Sequence, residues 1–182
     1  MTIVQNTNGA IASPRKIDYN NTAADYYNPG DTITFQIRAM NDAAAGAPLV
    51  DPELLDLLPA DLSYVPGSWS IPGWSSTFST SPIFSVVDNF NGSGRTLLTW
   101  SWSGASSTQV QPNEETNIIF QAVIDEEAPA GYQVIENRVY QLGGGVTDCY
   151  QSQGTDNFDL NGNGNTTELL CYGPAFININ GT

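Results

Sequence analysis

The sequence predicts an all-β domain with two layers of strands, and three observations point there. Residues 31–41 (DTITFQIRAMN), 117–124 (NIIFQAVI) and 132–142 (YQVIENRVYQL) alternate apolar and polar side chains with period two, the pattern of strands with one buried face. Short apolar runs bounded by Gly, Pro, Asn and Ser recur about every 8–12 residues, the spacing of a sandwich or barrel. No 18-residue apolar segment and no internal repeat interrupts that pattern. At 182 residues the chain is about one domain, long enough to bury a core of its own.

The elements follow in order. Residues 1–12 (MTIVQNTNGAIA) lack the basic start and long apolar run of a signal peptide, so the chain reads as a mature form, an excised module with an added Met, or a cytoplasmic protein, and the composition favours the first two. Lys16 follows on a leading strand. Asn28-Pro29-Gly30 is a turn, with proline fixing φ and glycine free to take positive φ, and it opens the strand that carries Ile33, Phe35, Ile37 and Ala39 on one face. The window PELLDLLPADL at 52–62 is the one helix-like stretch; it is expected to be a loop or short strand leading into a corner at Pro59. LSYVPGSW at 62–69, IFSVVDNF at 83–90 and TLLTWSW at 96–102 read as short strands. The segments 117–124 and 132–142, joined by the polar turn EEAPAG, are expected to pair antiparallel. A Gly/Asn/Asp-rich tail from 143 to 173 then gives way to AFININ at 175–180, a final alternating strand.

Composition bounds function. Nineteen acidic residues against five basic ones give a formal charge of −14, which repels phosphate backbones and anionic headgroups, so neither nucleic-acid binding nor membrane insertion is expected. There is no histidine, which removes Ser-His-Asp and Cys-His nucleophile pairs and every His-containing zinc site. Lysine occurs once, at Lys16, while Asn, Ser, Thr and Gly abound, an extracellular or cell-surface composition. Cys149 and Cys171 bracket the polar tail. In an oxidising compartment they would form a disulfide contributing about 3 kcal/mol by loop closure; the alternative is two buried thiols.

The ordered series Lys16, NPGDTITFQIRAMND at 28–42, LLDLLPADLSYVPGSW at 55–69 and EEAPAGYQVIENRV at 126–139 resembles the bacterial and archaeal surface-protein repeat domain catalogued as domain of unknown function eleven. The resemblance covers roughly residues 14–142. It implies an immunoglobulin-like Greek-key β-sandwich, used as a stalk or surface module, and no catalysis. One domain then spans 1–182, with 1–13 as a leader or donor strand, 14–142 as the family-like core, and 143–182 as a loop insertion with a last strand.

Two constellations carry chemistry. Ile135, Asn137 and Val139 share a strand face, so Asn137 points inward if its apolar neighbours do, and a buried amide without partners costs about 1–3 kcal/mol. In several families of surface sandwich domains an inward lysine attacks such an asparagine to form an isopeptide bond, helped by a carboxylic acid kept neutral by its apolar site. Lys16, Asn137 and Asp56 are the candidates here, with Asn178 and Asn180 as competing acceptors. The chemistry needs an uncharged amine and an acid of raised pKa; the plain alternative is a surface lysine and a hydrogen-bonded core amide. The second constellation is TDNFDLNGNGNTTE at 155–168, where Asp159, Asn161, Asn163 and Gly164 match the opening of a D-x-N-x-N-G calcium loop. The twelfth position is Leu170 rather than Glu, which leaves Glu168 or Asp156 to complete a calcium shell. The other reading is a solvated loop closed by the disulfide.

The aromatic middle of the chain divides the same way. Trp100 and Trp102 lie on one strand face and are expected in the core with their indole N–H groups bonded, whereas Trp74 in SIPGWSS is the candidate for an exposed ring that stacks on sugar. The functional expectation is a non-enzymatic structural module of a surface protein, partnered by its own copies or neighbouring domains through exchange of a terminal strand, TIVQNTNGAIA or AFININ. The alternative is a module that binds polysaccharide through Trp74.

Overall fold

The computed structural model describes residues 8–19, 26–72, 81–103, 107–128, 132–150, 152–155 and 159–180. Its strands are β1 (Ala10–Ala12), β2 (Arg15–Asp18), β3 (Thr32–Met40), β4 (Leu49–Leu57), β5 (Leu62–Tyr64), β6 (Ile83–Val87), β7 (Leu97–Ser101), β8 (Gln109–Val110), β9 (Glu115–Ile124), β10 (Tyr132–Gly144), β11 (Val146–Cys149), β12 (Ser152–Thr155) and β13 (Leu169–Asn180). One sheet runs β2-β3-β9-β5. The larger runs β12-β13-β10-β4-β7-β6, with β8 also on β4, and β1 pairs with β11 in parallel.

The two sheets face each other across one apolar layer. Alternation supplies it: Ile33, Phe35, Ile37 and Ala39 from β3 meet Ile118, Phe120, Ala122 and Ile124 from β9 on one side, and Leu54, Leu98, Trp100, Val139 and Ile177 close it from the other. Trp100 touches both Phe84 and Phe120, with ring centroids 5.0 and 5.4 Å away, and each such fully buried large side chain is worth roughly 1.5–3 kcal/mol of transfer free energy. Trp100 and Trp102 are therefore core, as the sequence predicts, although Trp100 Nε1 finds no hydrogen-bond partner.

Three expectations change. The 52–62 window is a strand rather than a loop, and not a short one: its first part belongs to β4, a nine-residue strand in the middle of the large sheet that ends at Leu57, just before Pro59. Leu54 and Leu58 face the main core while Leu55 and Leu57 face a second cluster with Leu97, Leu142, Leu160 and Leu170, so both faces are apolar and the period of two disappears. The strands expected to form a hairpin, β9 and β10, lie in opposite sheets, β9 between β3 and β5 and β10 between β4 and β13. The chain therefore changes sheet between Ile124 and Tyr132. Finally, AFININ is no free donor: as part of β13 it pairs with β10 from Tyr132↔Asn180 to Gln141↔Cys171, and Tyr27 bridges its other side at Ile179. Of the other proposed donor, Ala10–Ala12 lies against β11, and residues 2–7 fall outside the described residues.

Gly173 brings the two sheets together at one point. A Cβ there would sit 2.7 Å from the carbonyl oxygen of Pro14 and 3.0 Å from Cα of Arg15, so only glycine lets β2 pass this close to β13.

Candidate functional site

The site lies in the core, beside that crossing. On β2 Arg15 and Ile17 are exposed and Lys16 turns inward. On β4 and the residue after it the inward series is Leu54, Asp56 and Leu58, and on β10 it is Ile135, Asn137 and Val139, with Val139 opposite Asp56 in the ladder. Period two thus aims all three polar side chains into the apolar layer. Their exposures are 2% for Lys16 and 0% for Asp56 and Asn137. Lys16 Nζ donates to Asp56 Oδ2 and stands over two aromatic faces, 4.1 Å from the Phe35 centroid and 5.0 Å from that of Phe120.

Burial governs the protonation of the pair. Loss of water pulls the Lys16 ammonium down from 10.5 to about 8, outweighing the attraction of Asp56. The same loss pushes the Asp56 carboxyl above its ordinary value, against the pull of Lys16 and a weaker one from Asn137. Both shifts lean toward a neutral amine beside a neutral acid, because desolvating two charges costs more than their attraction returns.

Asn137 is the unusual member. Neither its amide nitrogen nor its oxygen completes a hydrogen bond, and the second Asp56 oxygen, Oδ1, is also unpartnered. Asn41, equally buried, makes the contrast: its Oδ1 accepts from the Ile11 amide at 3.1 Å and its Nδ2 donates to the carbonyls of Ala47 and Val110. Native interiors pair such groups, and an unpaired carboxamide next to the acid of a desolvated Lys16–Asp56 pair invites an explanation in chemistry.

The rivals for this role point elsewhere. Asn178 and Asn180 alternate with the buried Ile177 and Ile179 and so face outward; that parity was readable in the sequence. What the sequence reading missed is the aromatic cage, because Phe35 and Phe120 meet Lys16 only through the register of β2 on β3 and of β3 on β9.

The remaining predicted sites sort themselves by position. Cys149 and Cys171 are disulfide-bonded, joining β11 to β13. The calcium reading finds no support. Asp159 accepts from the Gly164 amide at 3.0 Å, Glu168 accepts from Asn161 Nδ2 and Asn163 Nδ2, and Asn161 Oδ1 accepts from the Asn163 amide, so the loop's oxygens are engaged in its own turns. Among the described residues no group of three His, Cys, Asp or Glu side chains converges to hold a metal ion. Asp156 and Trp74 lie outside the described residues.

No protein-family profile matches the chain, and no curated protein does; the specific surface-repeat family is therefore not established. Solved structures do match. The major pilin SpaA of Corynebacterium diphtheriae aligns at TM-score 0.50 and 17% identity over 72% of this chain and 31% of that one. The C-terminal fragment of the major pilin GBS80 of Streptococcus agalactiae gives 0.49 and 11% over 94% and 56%, and full-length SpaD from C. diphtheriae 0.47 and 15% over 91% and 33%. The chain thus spans about a third of the SpaA and SpaD chains. At these identities the likeness is one of fold, and it agrees with the two sheets described above: the chain is an immunoglobulin-like β-sandwich with a disulfide near its C-terminal strand.

Proposed function

We propose that the chain is a structural module of an extracellular or cell-surface assembly, a stalk, adhesin or fibre domain joined to copies of itself or to neighbouring domains, and that it crosslinks itself through Lys16 and Asn137. The observation that carries this reading is the buried trio: a desolvated amine on its aromatic floor, an acid biased to keep its proton, and a carboxamide with both polar atoms unpaired. The fold it shares with SpaA supports the surface role, and that pilin is described as a modular pilus assembly with stabilizing isopeptide bonds.

The chemistry balances within the trio. Asp56 takes the ammonium proton, which leaves Lys16 Nζ with a free lone pair. Protonated Asp56 polarises the Asn137 carboxamide by donating to its oxygen, and Nζ adds to Cγ. Asp56 then moves a proton from the now positive Nζ to Nδ2, the Cγ–Nδ2 bond breaks as the carbonyl re-forms, and ammonia departs. One amine and one amide become one amide and one ammonia, with no oxidant, metal or cofactor. The reactive neutral pair holds the same number of protons as the ion pair, so reaction competes with neither gain nor loss of a proton from solvent. The bond ties β2 of the small sheet to β10 of the large one. This self-reaction turns over once, and the reading assigns no enzymatic activity on outside substrates.

Intact mass under reducing conditions tests it. The folded chain is expected to weigh less than its sequence by one ammonia, whereas Lys16→Met, Asp56→Asn and Asn137→Ala are expected at full sequence mass. A wild-type chain at full sequence mass would overturn the crosslink.

A further inference from the structure

On the face of the large sheet turned away from Lys16, a small hollow gathers two of the chain's five basic residues. Arg95, Arg138, Tyr140 and Tyr172 form its walls, Leu57 and Leu160 lie in its floor, and its volume is about 130 Å³. The guanidinium carbon of Arg138 lies 4.5 Å from the centroid of the Tyr172 ring and beside the Tyr140 hydroxyl. The two tyrosine rings stand 6.0 Å apart at 58°. Arg95 is fixed by donating Nε to the Leu58 carbonyl at 3.0 Å and a terminal nitrogen to that of Leu57. Arg138 shares its Nε with Glu136 in an exposed pair, which water screens.

A guanidinium stacked on an aromatic ring recognises a planar carboxylate, and tyrosine faces over leucine suit a ring with an apolar side. Size narrows the ligand: the hollow falls below the roughly 300–1,000 Å³ of drug-sized sites and takes one ring. Charge narrows it further. The background of −14 opposes polyanions most strongly, and among anions a single carboxylate on a neutral body least. We propose that this hollow binds a ring-borne monocarboxylate, the chemistry of a terminal sugar acid, with its carboxylate on Arg138 and its ring against Tyr172. The inference is independent of the crosslink.

Titration of the isotope-labelled full chain with glucuronate, followed by amide chemical shifts at low ionic strength, tests the assignment. Saturable shifts centred on β10 and β13 around Arg138 and Tyr172 are expected, with glucose inert at the same concentration and acetate about tenfold weaker or more. Arg138→Gln and Tyr172→Leu are each expected to lose the response while keeping the wild-type thermal midpoint to within a few degrees. The Arg138→Gln result overturns the proposal if the shifts persist in that variant, as does an equal response to glucose. Absence of saturation with glucuronate also overturns it. So does concentration-dependent self-association in sedimentation that Arg138→Gln removes while glucuronate has no effect, which would assign the hollow to a second copy.

Discussion

Asn41 and Asn137 are the same side chain in the same core, one with every polar atom bonded and one with none. Replacing the first by alanine strands the Ile11 amide and two carbonyls, whereas replacing the second removes only a weak interaction with Asp56 and blocks the crosslink. Asn137→Ala therefore exposes the titration of Lys16. Burial holds that amine at about 8, below the 10.5 of the unfolded chain. Between those values the unfolded state binds a proton that the folded state has released, so stability rises with pH across the window, by up to about 3 kcal/mol, and this group contributes no slope below it. Asp56, raised by burial, acts in the opposite sense: it favours the fold in acid, and that contribution is lost as pH climbs from the ordinary carboxylate value through the folded one. Urea midpoints of Asn137→Ala are expected to climb between pH 7.5 and 10 relative to the Lys16→Met/Asn137→Ala double variant. Equal slopes in the two would refute the shift.

At the scale of elements, the reach of Lys16 depends on how closely β2 passes β13, and Gly173 sets that distance. Gly173→Ala is expected to cost about 1–3 kcal/mol through overpacking against the Pro14–Arg15 backbone, and to leave a fraction of the chains at full sequence mass. Gly154→Ala is the control, since its added Cβ would meet only the Tyr172 ring, at 3.9 Å. Urea unfolding and intact mass read both variants, and equal behaviour would refute the role of Gly173. The same scale explains what the sequence could tell. β3, β9, β10 and β13 were legible because each alternates apolar with polar side chains, even where the polar ones are themselves covered, as Thr34, Gln36 and Asn117 are, and the inward aim of Asn137 followed from Ile135 and Val139. β4 was not, because the tail covers its outer face with Leu160 and Leu170 and erases the alternation. Nor does alternation say which sheet a strand joins: β9 and β10 look like a hairpin in sequence and lie on opposite layers. Lys16 and Asp56 were paired already from the sequence, and only the two phenylalanines under the amine needed the tertiary register.

For the whole molecule, the two sheets are joined by a third, small unit in which β1 lies along β11 and the disulfide pins β11 to β13. The bond restricts the unfolded chain more than it adds to the folded one, so Cys149→Ser/Cys171→Ser is expected to lower the unfolding free energy by about 3 kcal/mol, measured with urea against the oxidised wild type. An unchanged midpoint would mean the small unit unfolds separately from the sheets. The same covalent bridge spans the base of the 150–170 excursion, whose tip at Gly162–Thr167 is exposed. A protease nick at that tip would leave both fragments tethered until a reductant is added, and neither sheet would lose a rung. Here the fold can accept new sequence, and a foreign peptide grafted between Gly162 and Thr167 would be displayed from a clamped stem.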